Sequence, residues 1–135
     1  MTDPATLAKG RRGLSHFRAA LGYSLAGFRH AIRHEESVRQ ELAVFVLLVP
    51  LAVVLPVSTL ERLLLVLSMG LVLLVELLNS ALEAAVDRIS LDRHPLAGRA
   101  KDLGSAAVFT AIGMSFLCWV VIAGPVAWGW LSAPR

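Results

Sequence analysis

Three long stretches with almost no charge constrain this chain more than any other feature. Residues 42–60 and 103–134 contain no Asp, Glu, Lys or Arg, and residues 63–86 contain only Glu76 and Glu83. About 20 predominantly apolar residues suffice for a helix to cross the hydrocarbon core of a bilayer. The hydrophobic content of 56% agrees, because it is above that of an ordinary soluble domain. The sequence therefore predicts an all-α membrane protein with three transmembrane helices.

Capping and turn signals set the expected boundaries. Ser58 and Glu61 have the spacing of a capping box, which predicts that the second span begins there. Residues 90–104 are polar and contain Pro95 and two glycines, so we predict a loop. The expected transmembrane helices cover about residues 42–57, 60–87 and 105–130, within a single domain of residues 1–135.

Residues 14–34 show the periodicity of an amphipathic helix. Their apolar side chains fall within about 60° of arc and comprise Leu14, Phe17, Leu21, Leu25, Phe28 and Ile32. Basic residues surround this stripe. The pattern is typical of a helix that lies in the membrane interface, and the alternative is a helix packed on other protein.

The distribution of Lys and Arg predicts the orientation in the membrane. Seven of the 13 basic residues precede the first span, and four more lie between residues 88 and 101. The first loop has only Arg62. Because basic loops stay in the cytoplasm, we expect the N-terminus and the 88–104 loop in the cytoplasm, and the 57–61 turn and the C-terminus outside.

The second span carries polar side chains on one narrow face. These side chains, at i, i+3, i+4, i+7 and i+11, are Glu76, Asn79, Ser80, Glu83 and Asp87. Glu76 is 14 residues past Arg62 and therefore ~21 Å along the helix, in the inner third of a ~30 Å core. Intramembrane carboxylates are costly and mark functional sites. The alternative is that Glu76 and Asn79 are interhelical contacts that fix an oligomer.

Four basic residues follow this polar face in the sequence: Arg88, Arg93, Arg99 and Lys101. Carboxylates together with Lys and Arg favour phosphoryl transfer from a nucleotide. Carboxylates hold Mg²⁺ together with phosphate oxygens, Lys and Arg neutralise phosphates, and a further carboxylate takes the proton of an attacking hydroxyl. No G-x-x-x-x-G-K-[ST] motif is present. A nucleotide site would therefore be built from side chains, and from more than one chain.

Three segments resemble the bacterial integral-membrane diacylglycerol kinase family: Glu76-Leu-Leu-Asn-Ser-Ala-Leu-Glu83, Val86-Asp-Arg-Ile89 and Gly98-Arg-Ala-Lys-Asp-Leu-Gly-Ser-Ala-Ala-Val108. The resemblance covers about residues 13–125. It implies a homotrimer, with three transmembrane helices and an N-terminal interfacial helix per chain, that transfers the γ-phosphate of ATP to the hydroxyl of diacylglycerol with Mg²⁺. It implies a bacterial inner membrane, with the C-terminus in the periplasm, and no nucleic-acid partner.

The resemblance also implies residue roles. Glu76 is the general base, and Glu35 and Glu83 are the metal ligands. The ATP-binding positions are His16, Tyr23, Glu35, Glu83, Asp92, Arg93, His94, Lys101 and Asp102. The positions that bind the lipid substrate are Ser24, Arg29, Arg62, Glu76, Asn79 and Ser105. His16 stands where better-known members carry arginine, and Leu25-Ala26 replaces a Trp-Lys pair.

Two alternatives stand beside the diacylglycerol kinase. One is an undecaprenol kinase of the same family, although the context of Gly98-Arg99 and Gly104-Ser105 resembles the diacylglycerol branch more. The other is a non-enzymatic membrane oligomer or channel. Lys101 and Asp102 favour the enzyme, because a structural oligomer has no need of a paired cation and carboxylate beside a metal-type site.

Overall fold

The computed structural model describes residues 14–89 and 94–133, which form four α-helices. The helices are α1 (Leu14–His34), α2 (Glu36–Val54), α3 (Thr59–Ile89) and α4 (Pro95–Ser132). Helices α2, α3 and α4 are each long and apolar enough to cross a membrane. The all-α prediction with three candidate spans is confirmed. The chain divides into two compact units, of which the first contains α1 and the second contains the other three helices.

Helix α1 has the bounds that its periodicity predicts. The apolar stripe of Phe17, Leu21, Leu25, Phe28 and Ile32 is exposed, with relative accessibilities of 40–67%. Such a stripe is what an interfacial helix presents to lipid. Contact with the membrane interface therefore stays a prediction with a suitable surface to support it.

The turn between α2 and α3 contains the predicted capping box. Ser58 donates from its backbone N–H and its hydroxyl to Glu61 Oε2, at 2.8 and 2.6 Å, and the backbone N–H of Glu61 donates to Ser58 Oγ at 3.3 Å. These contacts satisfy N–H groups that the first turn of a helix leaves without partners. The start of α3 is therefore fixed by its own sequence.

Arg62 ties this turn to the end of α2. Its Nε donates to the carbonyl oxygen of Ala52 at 3.1 Å, and its Nη2 donates to those of Leu55 and Val57 at 3.2 and 3.5 Å. The last carbonyl groups of a helix lack partners within the helix. One guanidinium group therefore binds a carbonyl in the last turn of α2, that of Ala52, together with two carbonyls of the α2–α3 connection, those of Leu55 and Val57.

An apolar cluster packs against the same turn. Ala52, Leu55 and Leu65 are buried, and α4 contributes Trp119 and Ile122 to their surroundings. We call this part of the bundle the turn end. Further along, the hydroxyls of Ser68 and Ser115 lie 3.3 Å apart and link α3 to α4. The opposite end, where α3 finishes and α4 begins, is the polar end.

Two boundaries differ from the sequence prediction. Helix α2 begins at Glu36 rather than near residue 42, and α4 begins at Pro95 rather than near residue 105. The predicted loop is therefore wrong from Pro95 onward. The cause is a local start signal: His94 has extended backbone angles and accepts the N–H of Leu96 at 3.2 Å, and Pro95 occupies the first turn, where proline is favoured.

Candidate active site at the polar end of helices α3 and α4

Glu76 is the buried carboxylate of the second unit. It lies on α3 one turn beyond Val72, and only 6% of its surface is exposed. Among the described residues it is the only charged residue in the buried class. Since burying a charge is costly, this position is unfavourable for packing alone and supports the predicted role of a functional group.

Asn79 and Glu83 follow Glu76 on the same face and interact with each other. The amide Nδ2 of Asn79 donates to Glu83 Oε1 at 3.1 Å. The amide oxygen Oδ1 of Asn79 is buried and has no hydrogen-bond partner. A buried acceptor without a partner is unfavourable. This oxygen faces Gly104 of α4, so the Glu83 carboxylate is the group of this pair that can accept further ligands.

Gly104 of α4 makes this arrangement possible. A Cβ atom at position 104 would collide with Asn79 Oδ1 and would lie 3.2 Å from both Asn79 Cγ and Leu82 Cδ2. Only a residue without a side chain allows Asn79 its observed position. Gly104 belongs to the motif Gly98–Val108, but no role was predicted for it; the signal available in the sequence was a glycine inside a helix.

Lys101 forms an ion pair with Asp87 across the helix junction. Its Nζ lies 2.7 Å from Asp87 Oδ1, and both side chains are partly exposed. The contact joins the last turns of α3 to the second turn of α4. Asp87 was predicted to lie on the polar face but not to have a function, because helical spacing gives no information about which cation the carboxylate meets.

The remaining predicted residues of the second unit are less tightly grouped. Asp102 and Ser105 are exposed on α4 near Lys101, and His94 caps the start of that helix. Asp92 and Arg93 lie outside the described residues. Arg62 is at the turn end, 14 residues and therefore ~21 Å along α3 from Glu76. The structure shows Arg62 bound to backbone carbonyls, so its predicted lipid contact stays a prediction.

The predicted residues of the first unit all lie on or directly after α1. His16, Tyr23, Ser24 and Arg29 are exposed. The Ser24 hydroxyl donates to the backbone oxygen of Ala20 at 3.0 Å. Glu35 follows the helix, is half-buried, and donates its backbone N–H to the carbonyl oxygen of Ala31 at 2.8 Å.

A cavity of about 370 Å³ lies between α2, α3 and α4. Its walls are mostly apolar and include Val72, Ile112 and Trp119, with Glu41 and Gln40 among the few polar residues. Glu41 Oε2 and Trp119 Nε1 are buried without hydrogen-bond partners. No role was predicted for Glu41 from the sequence, although its carboxylate stands directly before the uncharged residues 42–60 and could have indicated a polar position at the edge of a span.

The oxygen atoms of the site suit a hard cation. Mg²⁺ prefers oxygen ligands and is usually bound by one or two carboxylates together with phosphates and water. Glu83 supplies a carboxylate, and the Asn79 amide donates a hydrogen bond to its Oε1. Among the described residues, no three of His, Cys, Asp and Glu converge as a metal cage.

Three helices that could span a membrane, with a buried carboxylate, a carboxylate–amide pair and a Lys–Asp ion pair, define a class: helical proteins of membrane type with a polar candidate site. The comparisons with known proteins specify the family within this class. Residues 22–123 match the family model of prokaryotic diacylglycerol kinase, and the chain belongs to that family.

Several relatives support the assignment over nearly their whole length. A diacylglycerol kinase of Pseudomonas aeruginosa is 51% identical over 84% of this chain and 93% of its own. The diacylglycerol kinase of Escherichia coli K12 is 44% identical over 86% of this chain and 95% of its own. One of Helicobacter pylori is 39% identical over 84% of this chain. The resemblance stated from the motifs is thereby confirmed.

Proposed function

We propose that this membrane-bound diacylglycerol kinase transfers the γ-phosphoryl group of ATP to the free hydroxyl of diacylglycerol, with Mg²⁺, at the cytoplasmic face of a bacterial inner membrane. The family and the names of the relatives support the kinase activity and the lipid substrate. The observation that carries the mechanism is the buried Glu76, placed on α3 in line with Asn79, Glu83 and Asp87.

In this reaction, the groups on the polar face of α3 have different roles. The lipid hydroxyl oxygen bonds to the γ-phosphorus, the bond from that phosphorus to the bridging oxygen of ATP breaks, and ADP leaves. Glu76 takes the hydroxyl proton as the new bond forms. Such transfers depend on positioning and on neutralising phosphate charge, and a buried base is well placed beside a lipid headgroup.

Glu83 and Glu35 are the proposed ligands of Mg²⁺, which neutralises phosphate charge when bound. Lys101 is directed to the phosphates. An ammonium group has three donors, so Lys101 can keep its contact with Asp87 while it binds a phosphate oxygen. The other proposed ATP contacts are His16, Tyr23, Asp92, Arg93, His94 and Asp102, and the proposed lipid contacts are Ser24, Arg29, Asn79, Arg62 and Ser105.

Replacement of Glu76 tests the mechanism. General base catalysis contributes about 10²–10⁴-fold, so Glu76→Gln should lower kcat by about that factor while the oligomer assembles normally. Ser80→Ala, on the same face, is the control for local packing. Kinase assays with purified protein and size-exclusion chromatography provide the two readouts. Full activity in Glu76→Gln would return this residue to the role of an interhelical contact.

We also propose that the enzyme is a homotrimer whose sites are shared between chains. One chain leaves most of the apolar surface of α3 and α4 exposed, and Glu83 is only half-buried. Neighbouring chains would cover these surfaces. Mixing inactive Glu76→Gln subunits with inactive Lys101→Ala subunits should therefore regenerate some intact sites. Mixed oligomers with no activity above either parent would show that each chain carries its own site.

A further inference from the structure

Helix α1 ends with two histidines that lie side by side. His30 and His34 are separated by four residues, and both are exposed. Their imidazole rings have centroids 4.5 Å apart and are tilted by 34° to each other. Residues at i and i+4 of a helix are surface neighbours, so this proximity follows directly from the spacing.

The histidine pair faces away from the apolar stripe of α1. His30 and His34 come two positions after Phe28 and Ile32, and two positions correspond to about 200° around the helix axis. If the stripe lies in lipid, the pair points toward water. Both residues are exposed in the chain, so a solute can reach the imidazole nitrogens.

The chemistry of the pair selects a borderline transition metal. Imidazole nitrogen suits Zn²⁺, Ni²⁺ and Cu²⁺, whereas Mg²⁺ requires oxygen. Two histidines at i and i+4 on one helix face are a recurrent zinc-binding arrangement. The final torsion of a histidine side chain is broad, so both rings can turn to direct a nitrogen at one point about 2.0–2.1 Å from each.

The position in the helix also affects the binding of a cation. The C-terminal end of a helix carries partial negative charge and favours positive ligands. Arg29 and Arg33 lie on an adjacent stripe and oppose it, which limits occupancy to metals with high affinity for nitrogen. We propose that His30 and His34 form a two-nitrogen site for Zn²⁺, Ni²⁺ or Cu²⁺, with water completing the coordination. Its nitrogen ligands differ in chemistry from the carboxylates proposed for Mg²⁺, one of which, Glu35, directly follows His34.

Metal titration of the full-length chain tests this site. Protein without a histidine tag, in uncharged detergent micelles, is titrated with Cu²⁺ and followed by electron paramagnetic resonance, and with Zn²⁺ and followed by calorimetry. Both titrations contain millimolar Mg²⁺ to occupy oxygen sites. We expect one ion per chain and a copper spectrum with two equivalent nitrogen couplings.

Matched variants distinguish the pair from adventitious binding. His30→Ala and His34→Ala should each lower the affinity by about 10- to 100-fold or more, as losses around a metal site do. His16→Ala should bind like the wild type. A double variant, His30→Ala with Gly27→His, keeps the histidine number but separates the two rings by seven residues, and a Cβ at position 27 meets no atom within 4 Å. This variant should lose the site.

Two results would overturn the proposal. Equal affinity in the wild type and the double variant would show binding to isolated histidines only. Displacement of Zn²⁺ by Mg²⁺ at similar concentration would show binding to carboxylates. Neither result bears on the proposed kinase reaction, because the readout is metal binding and not activity.

Discussion

Gly104 is expected to control activity through the position of Asn79. In Gly104→Ala, the new methyl group would occupy the space of Asn79 Oδ1. The amide is the end of a side chain, so it can swing away instead of displacing backbone. That movement breaks the 3.1 Å hydrogen bond from Asn79 Nδ2 to Glu83. Glu83 then loses the contact that orients its carboxylate.

The magnitude follows from these contacts. Overpacking in a well-packed interior costs about 1–3 kcal/mol, and relaxation of Asn79 places this variant toward the lower value. A displacement of about 1 Å at a reacting group costs on the order of 10²-fold in rate. We therefore expect a small fall in thermal stability and a fall in kcat of about 10- to 100-fold, with a higher Mg²⁺ requirement.

The assay compares Mg²⁺ titrations of kinase activity with thermal unfolding. Gly129→Ala on the same helix is the matched control, because a Cβ there meets no atom within 4 Å. Glu83→Gln is the positive control for an altered Mg²⁺ requirement. A double-mutant cycle with Asn79→Ala isolates the cause: adding Gly104→Ala to Asn79→Ala should cost little more. Wild-type Mg²⁺ dependence in Gly104→Ala, or full additivity in the cycle, would refute the reasoning.

Two further predictions concern Asp87 and Arg62. Asp87→Asn removes the carboxylate 2.7 Å from Lys101 Nζ, so it should raise KM for ATP severalfold with little change in kcat. The difference in KM from the wild type should shrink at high salt, which screens exposed ion pairs. An unchanged KM would argue against a positioning role for Asp87. Arg62→Lys keeps the charge, but a lysine cannot bind the carbonyls of Ala52, Leu55 and Val57 together. The variant should therefore lower the free energy of unfolding by about 1–3 kcal/mol. A raised KM for the lipid at wild-type stability would instead support substrate contact.

Much of the fold was predictable because it depends on local and periodic signals. The period of apolar residues gave the bounds of α1, and the Ser58–Glu61 spacing gave the start of α3. The start of α4 was missed because the polar composition of residues 95–104 outweighed the stop-and-start signal of His94-Pro95. These residues form the first turns of α4, which are polar and helical at the same time.

The candidate site was predictable only along one helix. Helical spacing placed Glu76, Asn79 and Glu83 on one face, since that relation depends only on residue number. The contacts of Asp87 with Lys101 and of Asn79 with Gly104 join different helices. They depend on how α3 packs on α4, and no pattern within a single segment contains that information.

Arg62 holds α3 at the turn end, whereas the candidate site lies at the other end of the same helix. From Arg62 to Asp87 is 25 residues, or ~37 Å of helix. If the helices pivot at the apolar cluster, a tilt of only about 3° moves the far end of α3 by ~2 Å over this length. A small change of angle at the turn end therefore sets the position of the polar end. Substitutions in the α2–α3 turn should therefore lower the activity even though they leave the reacting groups unchanged.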